Sequence, residues 1–400
     1  MRPRLHPALR LVDRDEQTVQ LGAHPRRAVV LTGLSRAARR WLGGLDGSRD
    51  LAVALREARL AGLPEAFARA LLDRLATSGA LDDAGGPALP LSLAALDRMR
   101  PDLDAMALAG AAPGAGRAAL RRRADSRVRV YGAGRVGAQV VALLAAAGVG
   151  RIRVFDPEPA RPRDLVPGGL TWAEVGLTRE AGAARRADPG DEGAGRRDRG
   201  GAEGRAPAGT GVGTARSGER AEGRGRPGAR AAVEVLAGGP FLGDGTERPD
   251  LVILTPVRPL DMVLVNELMT LRIPHLLGSA FEGHGLAGPL VIPRQTACLH
   301  CLDLTRRDHD PGWPVVTARL GGYPPGEIAC DAAAAASVAA AVTGHALDYL
   351  DGHASAVMNG TTDISPDRRW SYRSWAIHAQ CRCIRDNPNP LTMVMSATCQ

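Results

Sequence analysis

Two folded units containing both helices and strands, joined in one chain, are what this sequence of 400 residues predicts. A Gly-x-Gly-x-x-Gly turn between an apolar strand and a long apolar helix points to an α/β domain of Rossmann-like type with a mostly parallel sheet. Ahead of it, strand and helix signals packed into the first 86 residues point to a small winged-helix-like α+β domain. The expected division is 1–86, a connector over 87–126, and the α/β domain over 127–186 and 231–400, with 187–230 as a disordered insertion.

In the first unit, "LRLVDR", "TVQLG" and "AVVLTGL" read as three short strands set off by polar turns. Ser35 caps the helix "RAARRWLGGL", which Gly43 and Gly44 end. "RDLAVALREARLAG" follows as a second helix, with Leu51, Leu55 and Ala58 on one face. A third starts at Pro64 and sets Phe67, Leu71 and Leu75 at helical spacing. "ALDD" closes the unit as a strand. The connector carries Pro and Gly at intervals, with partial helix and no recognisable chemistry. Gly, Arg, Asp and Glu dominate 187–230, leaving too little apolar surface to offset the entropy of ordering. Beyond it, "AAVEVLAGG" resumes the fold and "DLVILTPV" is an apolar strand. "PLDMVLVNELMTLRI" is a helix, and "PHLLGSAFEG" and "GPLVIP" are further strands.

Composition narrows the function. Hydrophobic residues make up 44% and aromatic ones only 3%, so Ala, Leu and Val fill the cores. The net charge is +8 and every basic side chain other than His is Arg. That charge is diffuse, without the interleaved aromatics of nucleic-acid readers. No run of about 18 apolar residues predicts a membrane span, and "MRPRLHPALR" lacks the apolar stretch of a signal peptide. A cytoplasmic protein is expected. In that compartment the six cysteines favour metal binding over disulfides.

Gly132, Gly134 and Gly137 follow the strand "VRVY" and open the helix "RVGAQVVALLAAAG". Glycines at this spacing allow a tight turn, close backbone approach to phosphate, and close helix–strand packing. The next strand, "RIRVF", ends in Asp156, placed to accept from ribose hydroxyls. The unit is one of nucleotide-binding type and does not itself choose between a dinucleotide and ATP.

The wording "GAGRVGAQVVALLAAAGVGRIRVFDPE" resembles the ThiF/MoeB/HesA family, bacterial relatives of ubiquitin-activating enzymes, over about 128–383 apart from the insertion. The resemblance implies a ThiF-type fold, a C-terminal zinc site, and ATP with magnesium used to adenylate a C-terminal carboxylate. Counted from Asp156, the family's Asn falls on Asp164, its phosphate-contacting Arg on Pro167, and its phosphate Lys on Arg179. Its magnesium-binding Asp falls near Val257, with Asp261 four residues on. Arg179 keeps the charge. Pro167 and Val257 supply none of the cation or metal binding that adenylation needs.

Cys298-x-x-Cys301 and Cys381-x-Cys383 are two thiolate pairs suited to tetrahedral zinc. The second pair is tighter than the family's, which leaves His378 as a substitute ligand. Four thiolates leave no open position, so a structural ion is expected. Cys330 precedes an Ala-rich helix; the resemblance implies reactivity with an activated carrier, and a helix N-terminus would depress its pKa. The alternative is a small buried residue at a helix start. Cys399 receives no role.

The first 86 residues, through "GLSRAARRWLGGLDGSRD" and "LATSGALDD", resemble the PqqD-like peptide-recognition element. Joined to a ThiF-like domain, this element resembles the leader-peptide-binding proteins of azole- and azoline-forming ribosomal-peptide clusters. The resemblance implies a catalytically degenerate chain that binds a precursor leader peptide and presents it to a separate cyclodehydratase-type enzyme, with a homodimer possible through the α/β unit. A peptide adding beside the strand at Val29, Val30 and Leu31 would be read by Arg36, Arg39, Arg40, Phe67 and Leu71. Two alternatives remain: an active adenylyltransferase using Gly132, Gly134, Asp156 and Arg179 at ATP, and a winged-helix DNA-binding regulator.

Overall fold

Val19 and Leu21 are buried while Gln20 between them is not, the period of two that marks a half-buried strand. The protein's computed structural model describes residues 1–89, 91–110, 112–187, 233–242, 244 and 246–384. Its first unit runs β1 (Pro3–Leu5), β2 (Leu11–Asp13), β3 (Val19–Leu21), β4 (Val29–Leu31), α1 (Arg36–Gly43), α2 (Leu51–Leu60), α3 (Glu65–Thr77) and β5 (Leu81–Asp83). Strands β2, β3 and β4 form an antiparallel sheet in that order, so β2 and β4 are its edges. Strand β1, which carries no local pattern, pairs antiparallel with β5. Ser35 caps α1 by accepting from the Ala38 N–H, as its position predicts. Leu21, Leu31, Leu42 and Leu75 are wholly buried in the common core. Trp41 joins them and donates its indole N–H to the Ala54 carbonyl at 2.8 Å.

The connector is more ordered than its Pro and Gly punctuation predicts. It folds as α4 (Leu93–Arg98), α5 (Arg100–Ala109) and α6 (Ala115–Asp125). Ser92 caps α4, and Met99, Met106, Ala119 and Leu120 share a small core. Short helices gain their stability from such tertiary packing, which a local pattern does not reveal.

The α/β unit runs β6 (Arg127–Tyr131), α7 (Gly137–Ala146), β7 (Arg151–Phe155), α8 (Arg179–Ala187), β8 (Glu234–Ala237), β9 (Leu251–Leu254), α9 (Met262–Thr270), β10 (His275–Phe281) and β11 (His284–Val291). It continues with α10 (Leu299–His309), α11 (Trp313–Leu320), α12 (Ala332–Leu350), β12 (Gly360–Ile364) and β13 (Trp370–Ser374). Ala187, placed in the insertion by composition, ends α8; the disorder expected over the rest of 187–230 lies outside the described residues. The sheet order is β13-β12-β11-β10-β9-β6-β7-β8. Strands β10, β9, β6, β7 and β8 are mutually parallel, and β11, β12 and β13 add on antiparallel. Alternation along β9 sends Leu251 and Ile253 into one core, beneath α7 and α12, and Val252 and Leu254 into another, beneath α9 and α10.

Arg123 of α6 and Asp351, which follows α12, form a buried bidentate pair at 2.8 and 2.6 Å and tie the connector to the end of α12. The chain passes from β6 to β7 on one side and reaches β9 on the other, so the strand order reverses between β6 and β9. In open parallel sheets the crevice at such a reversal is where ligands bind. Among the described residues, no helix is long and apolar enough to cross a membrane.

Candidate functional site

The glycine turn lies at that reversal and is closely built. Gly132 has φ +96°, and a Cβ there would run into the Thr255 carbonyl at the end of β9. The Thr255 hydroxyl donates to the Gly132 carbonyl at 2.7 Å. A Cβ on Gly137 would meet the Gly132 carbonyl, and one on Gly134 would meet the carboxylate of Glu327. All three glycines therefore serve close approach, but what approaches Gly134 is the chain itself.

Glu327 is a site residue that the sequence did not reveal. Its two oxygens accept the backbone N–H groups of Arg135 and Val136, each at 2.9 Å, at the start of α7. These free N–H groups, with the positive end of the helix dipole, are what would otherwise face a phosphate. Burial raises the Glu327 pKa above the ordinary carboxylate range, against the pull of the two N–H bonds.

Asp156 is equally engaged. Arg179 grips it through Nε to Oδ2 and Nη2 to Oδ1, both 2.8 Å, and the Ala133 N–H donates to Oδ2 at 2.8 Å. Arg179 also lies 3.5 Å from Asp164, and all three side chains are buried. Burial lowers the Arg179 pKa, and the bonds to Asp156 outweigh that and raise it. Asp164 accepts the Arg161 N–H at 2.8 Å, while the Arg135 guanidinium donates to the carbonyls of Arg163 and Leu165. Asp261 caps α9 by accepting from the Val263 N–H at 2.8 Å and is exposed. In this arrangement the residues do not fit ATP: the acid meant for ribose and the cation meant for phosphate neutralise each other, and the Ala133, Arg135 and Val136 amides already have carboxylate partners.

Cys330 is half-buried just ahead of α12, and burial, with the neighbouring Glu327 adding to the shift, pushes its thiol up to about 12.

The four remaining described cysteines converge. Cys298 caps α10 and Cys301 sits in its first turn, while Cys381 and Cys383 arrive after β13. The sulfurs of Cys298 lie 3.7 Å from those of both Cys301 and Cys381, and Cys301 lies 3.6 Å from Cys383. Thiolates about 2.3 Å from a tetrahedral zinc would stand about 3.8 Å apart, so the donor set fits such an ion. All four atoms lie within 4.8 Å of one another. His378 is not among them: its Nε2 is 2.8 Å from Asp308 and its Nδ1 accepts from the Gln380 N–H. The Cys298–Cys301 hydrogen bond pulls the Cys301 pKa down and pushes that of Cys298 up.

The residues expected to meet a peptide do not all share a surface. Leu31 and Leu71 belong to the core, 2% and 6% exposed, and cannot read a peptide directly. Arg39 pairs with Asp13 at 3.4 Å, which places it at the β2 edge, and Arg36 and Arg40 are exposed on the same helix. Val29 and Val30 are half-buried on β4. Arg74 of α3, missed in the sequence, donates to the Val30 carbonyl at 3.4 Å. That bond shows the Val30 carbonyl facing away from β3, and within a strand its N–H faces the same way. Phe67, 38% exposed, lies two helical turns before Arg74 on the same face of α3. Among the described residues no strand pairs with the outer edge of β4, and a helix face with one aromatic and one cation lies beside it.

Comparison with known proteins finds the same fold elsewhere. Residues 108–188 match the model of the ThiF family. Solved structures of Escherichia coli MccB share the fold along nearly the whole chain. One described as MccB with ATP is 12% identical, with a TM-score of 0.63 and coverage of 96% of this chain and 99% of that one. A structure of the microcin C7 biosynthetic enzyme MccB in complex with N-formylated MccA gives 12%, 0.63, 96% and 100%. PaaA is 13% identical with a TM-score of 0.58, covering 92% of this chain and 99% of its own. No curated protein matches the chain by sequence.

Proposed function

We propose that this protein binds the leader of a ribosomally made precursor peptide along β4 and presents that peptide to a separate cyclodehydratase-type modifying enzyme, with no adenylation of its own. The observation that carries this reading is the open β4 edge beside α3, on a chain whose fold likeness to peptide-bound MccB extends over both units. A peptide added as a strand gains backbone hydrogen bonds, and Phe67 and Arg74 supply apolar and acidic discrimination. The saturated Asp156–Arg179 pair, with Pro167 and Val257 where the resembling family places a cation and a metal ligand, supports the absence of ATP chemistry. The four thiolates hold a structural zinc in this reading, pinning the strands after α12 to α10. A DNA regulator is disfavoured, because the net charge of +8 is diffuse and lacks the interleaved aromatics of nucleic-acid readers.

The test is binding of labelled precursor peptides, leader and core halves separately, to the full-length protein. Only leader halves are expected to bind. Val30→Pro removes the outward N–H without touching the β3 ladder, and should weaken leader binding about tenfold, roughly 1.4 kcal/mol, with the melting temperature little changed. Unchanged affinity in Val30→Pro would remove β4 as the docking edge.

A further inference from the structure

The disagreement between a glycine turn of nucleotide-binding type and a site that does not fit the nucleotide has a specific agent. We propose that Glu327 is a built-in occupant of the anion seat at the start of α7, an internal carboxylate standing where a polyphosphate would bind and keeping polyphosphates out. The inference rests on the reading that the α/β unit does not adenylate, and goes further by naming what closes the site.

Three observations carry it. Both carboxylate oxygens are used, one on each of two successive amides, which matches the way a helix N-terminus holds an anion. The approach is close enough that Gly134 has no room for a Cβ against that carboxylate. The segment bearing Glu327 is also fastened on two sides. The Glu327 N–H donates to the Val257 carbonyl at 3.2 Å, and the Ile328 and Ala329 carbonyls accept from Glu282 and Gly283 at 2.6 and 3.1 Å. Gly326 makes the turn into this position at φ +96°. Glu327 therefore does not reach the amides from a free loop; its backbone is anchored to the ends of β9 and β10.

An intramolecular ligand of this kind competes at an effective concentration of about millimolar or more, without loss of translational freedom. A free polyphosphate must displace it and also tolerate the buried Asp156 and Asp164 carboxylates nearby, which share the single guanidinium of Arg179. Removing the carboxylate frees two amides and one negative charge at a stroke.

The test uses full-length protein and two probes, inorganic pyrophosphate and ATP, each titrated calorimetrically with and without magnesium. Wild type is expected to bind pyrophosphate weakly or not at all, and Glu327→Ala about tenfold or more tightly than wild type. Glu327→Gln keeps the bulk while losing the charge, and should gain less than Glu327→Ala. Circular dichroism and melting establish that the variants are folded. Should Glu327→Ala fold poorly, hydrogen exchange at 132–137 in Glu327→Gln serves instead, with pyrophosphate expected to protect these amides there and not in wild type. Wild type binding pyrophosphate as tightly as the variant, or a folded variant gaining nothing, would overturn the proposal. Neither result bears on leader binding at β4, and catalysis is read separately by exchange.

Discussion

Cys301→Ser is expected to abolish zinc binding and cost more than about 5 kcal/mol of stability. Structural zinc binding is worth on the order of 10 kcal/mol in small domains, and that energy becomes folding energy when the site exists only in the folded state. Here the cage joins α10 to residues beyond β13, so its loss frees the strands after α12 along with the ion. Wild-type protein should carry about one zinc per chain by elemental analysis, and Cys301→Ser much less. A strong chelator should lower the wild-type melting temperature toward that of the variant. Equal stability in wild type, variant and chelated protein would mean that the four thiols simply pack together.

Arg179→Ala should destabilise the fold by about 3–5 kcal/mol, because it leaves Asp156 and Asp164 charged, buried and unpaired. The size follows from asymmetry: the pair itself contributes little net stability after desolvation, whereas a stranded partner bears the whole penalty. Asp156→Ala combined with Arg179→Ala should therefore cost less than the two single changes added together. Urea unfolding of the three variants measures this directly. Full additivity, or a small loss in Arg179→Ala, would show that the two side chains do not depend on each other, and would return Asp156 to the set of free ribose acceptors.

What the sequence disclosed and what it hid divide along physical lines. The strand, glycine turn, helix and second strand from Val128 to Phe155 were legible because local periodicity and three glycines specify them without help from elsewhere. The cysteine cage was legible because thiols at short spacing have few other uses, although only the structure decides for Cys383 over His378. Strand β1 was hidden because it pairs with β5 some 80 positions on, and three residues carry no periodic signal. Helices α4 to α6 were obscured by Pro and Gly that fall between them or in their first turns, as Pro101 does in α5 and Gly116 in α6. Leu31 and Leu71 were assigned to a peptide surface because β4 and α3 were correctly found, but their inward faces were not. Glu327 lies 192 positions from Arg135, and "PPGEIACD" holds only a faint sign of it: an acid directly after a glycine, with no helix or strand to explain it.

These observations fit one account, in which a nucleotide-type fold has its anion seat and ribose acceptor closed from within and its peptide edge left open. The most direct test is ATP–pyrophosphate exchange with magnesium, run on full-length protein with and without saturating precursor peptide whose binding has been established separately. The account predicts no labelled ATP above a protein-free blank in either condition. Peptide-dependent exchange, abolished by Asp156→Ala in protein shown to be folded, would contradict it and establish the chain as an adenylating enzyme.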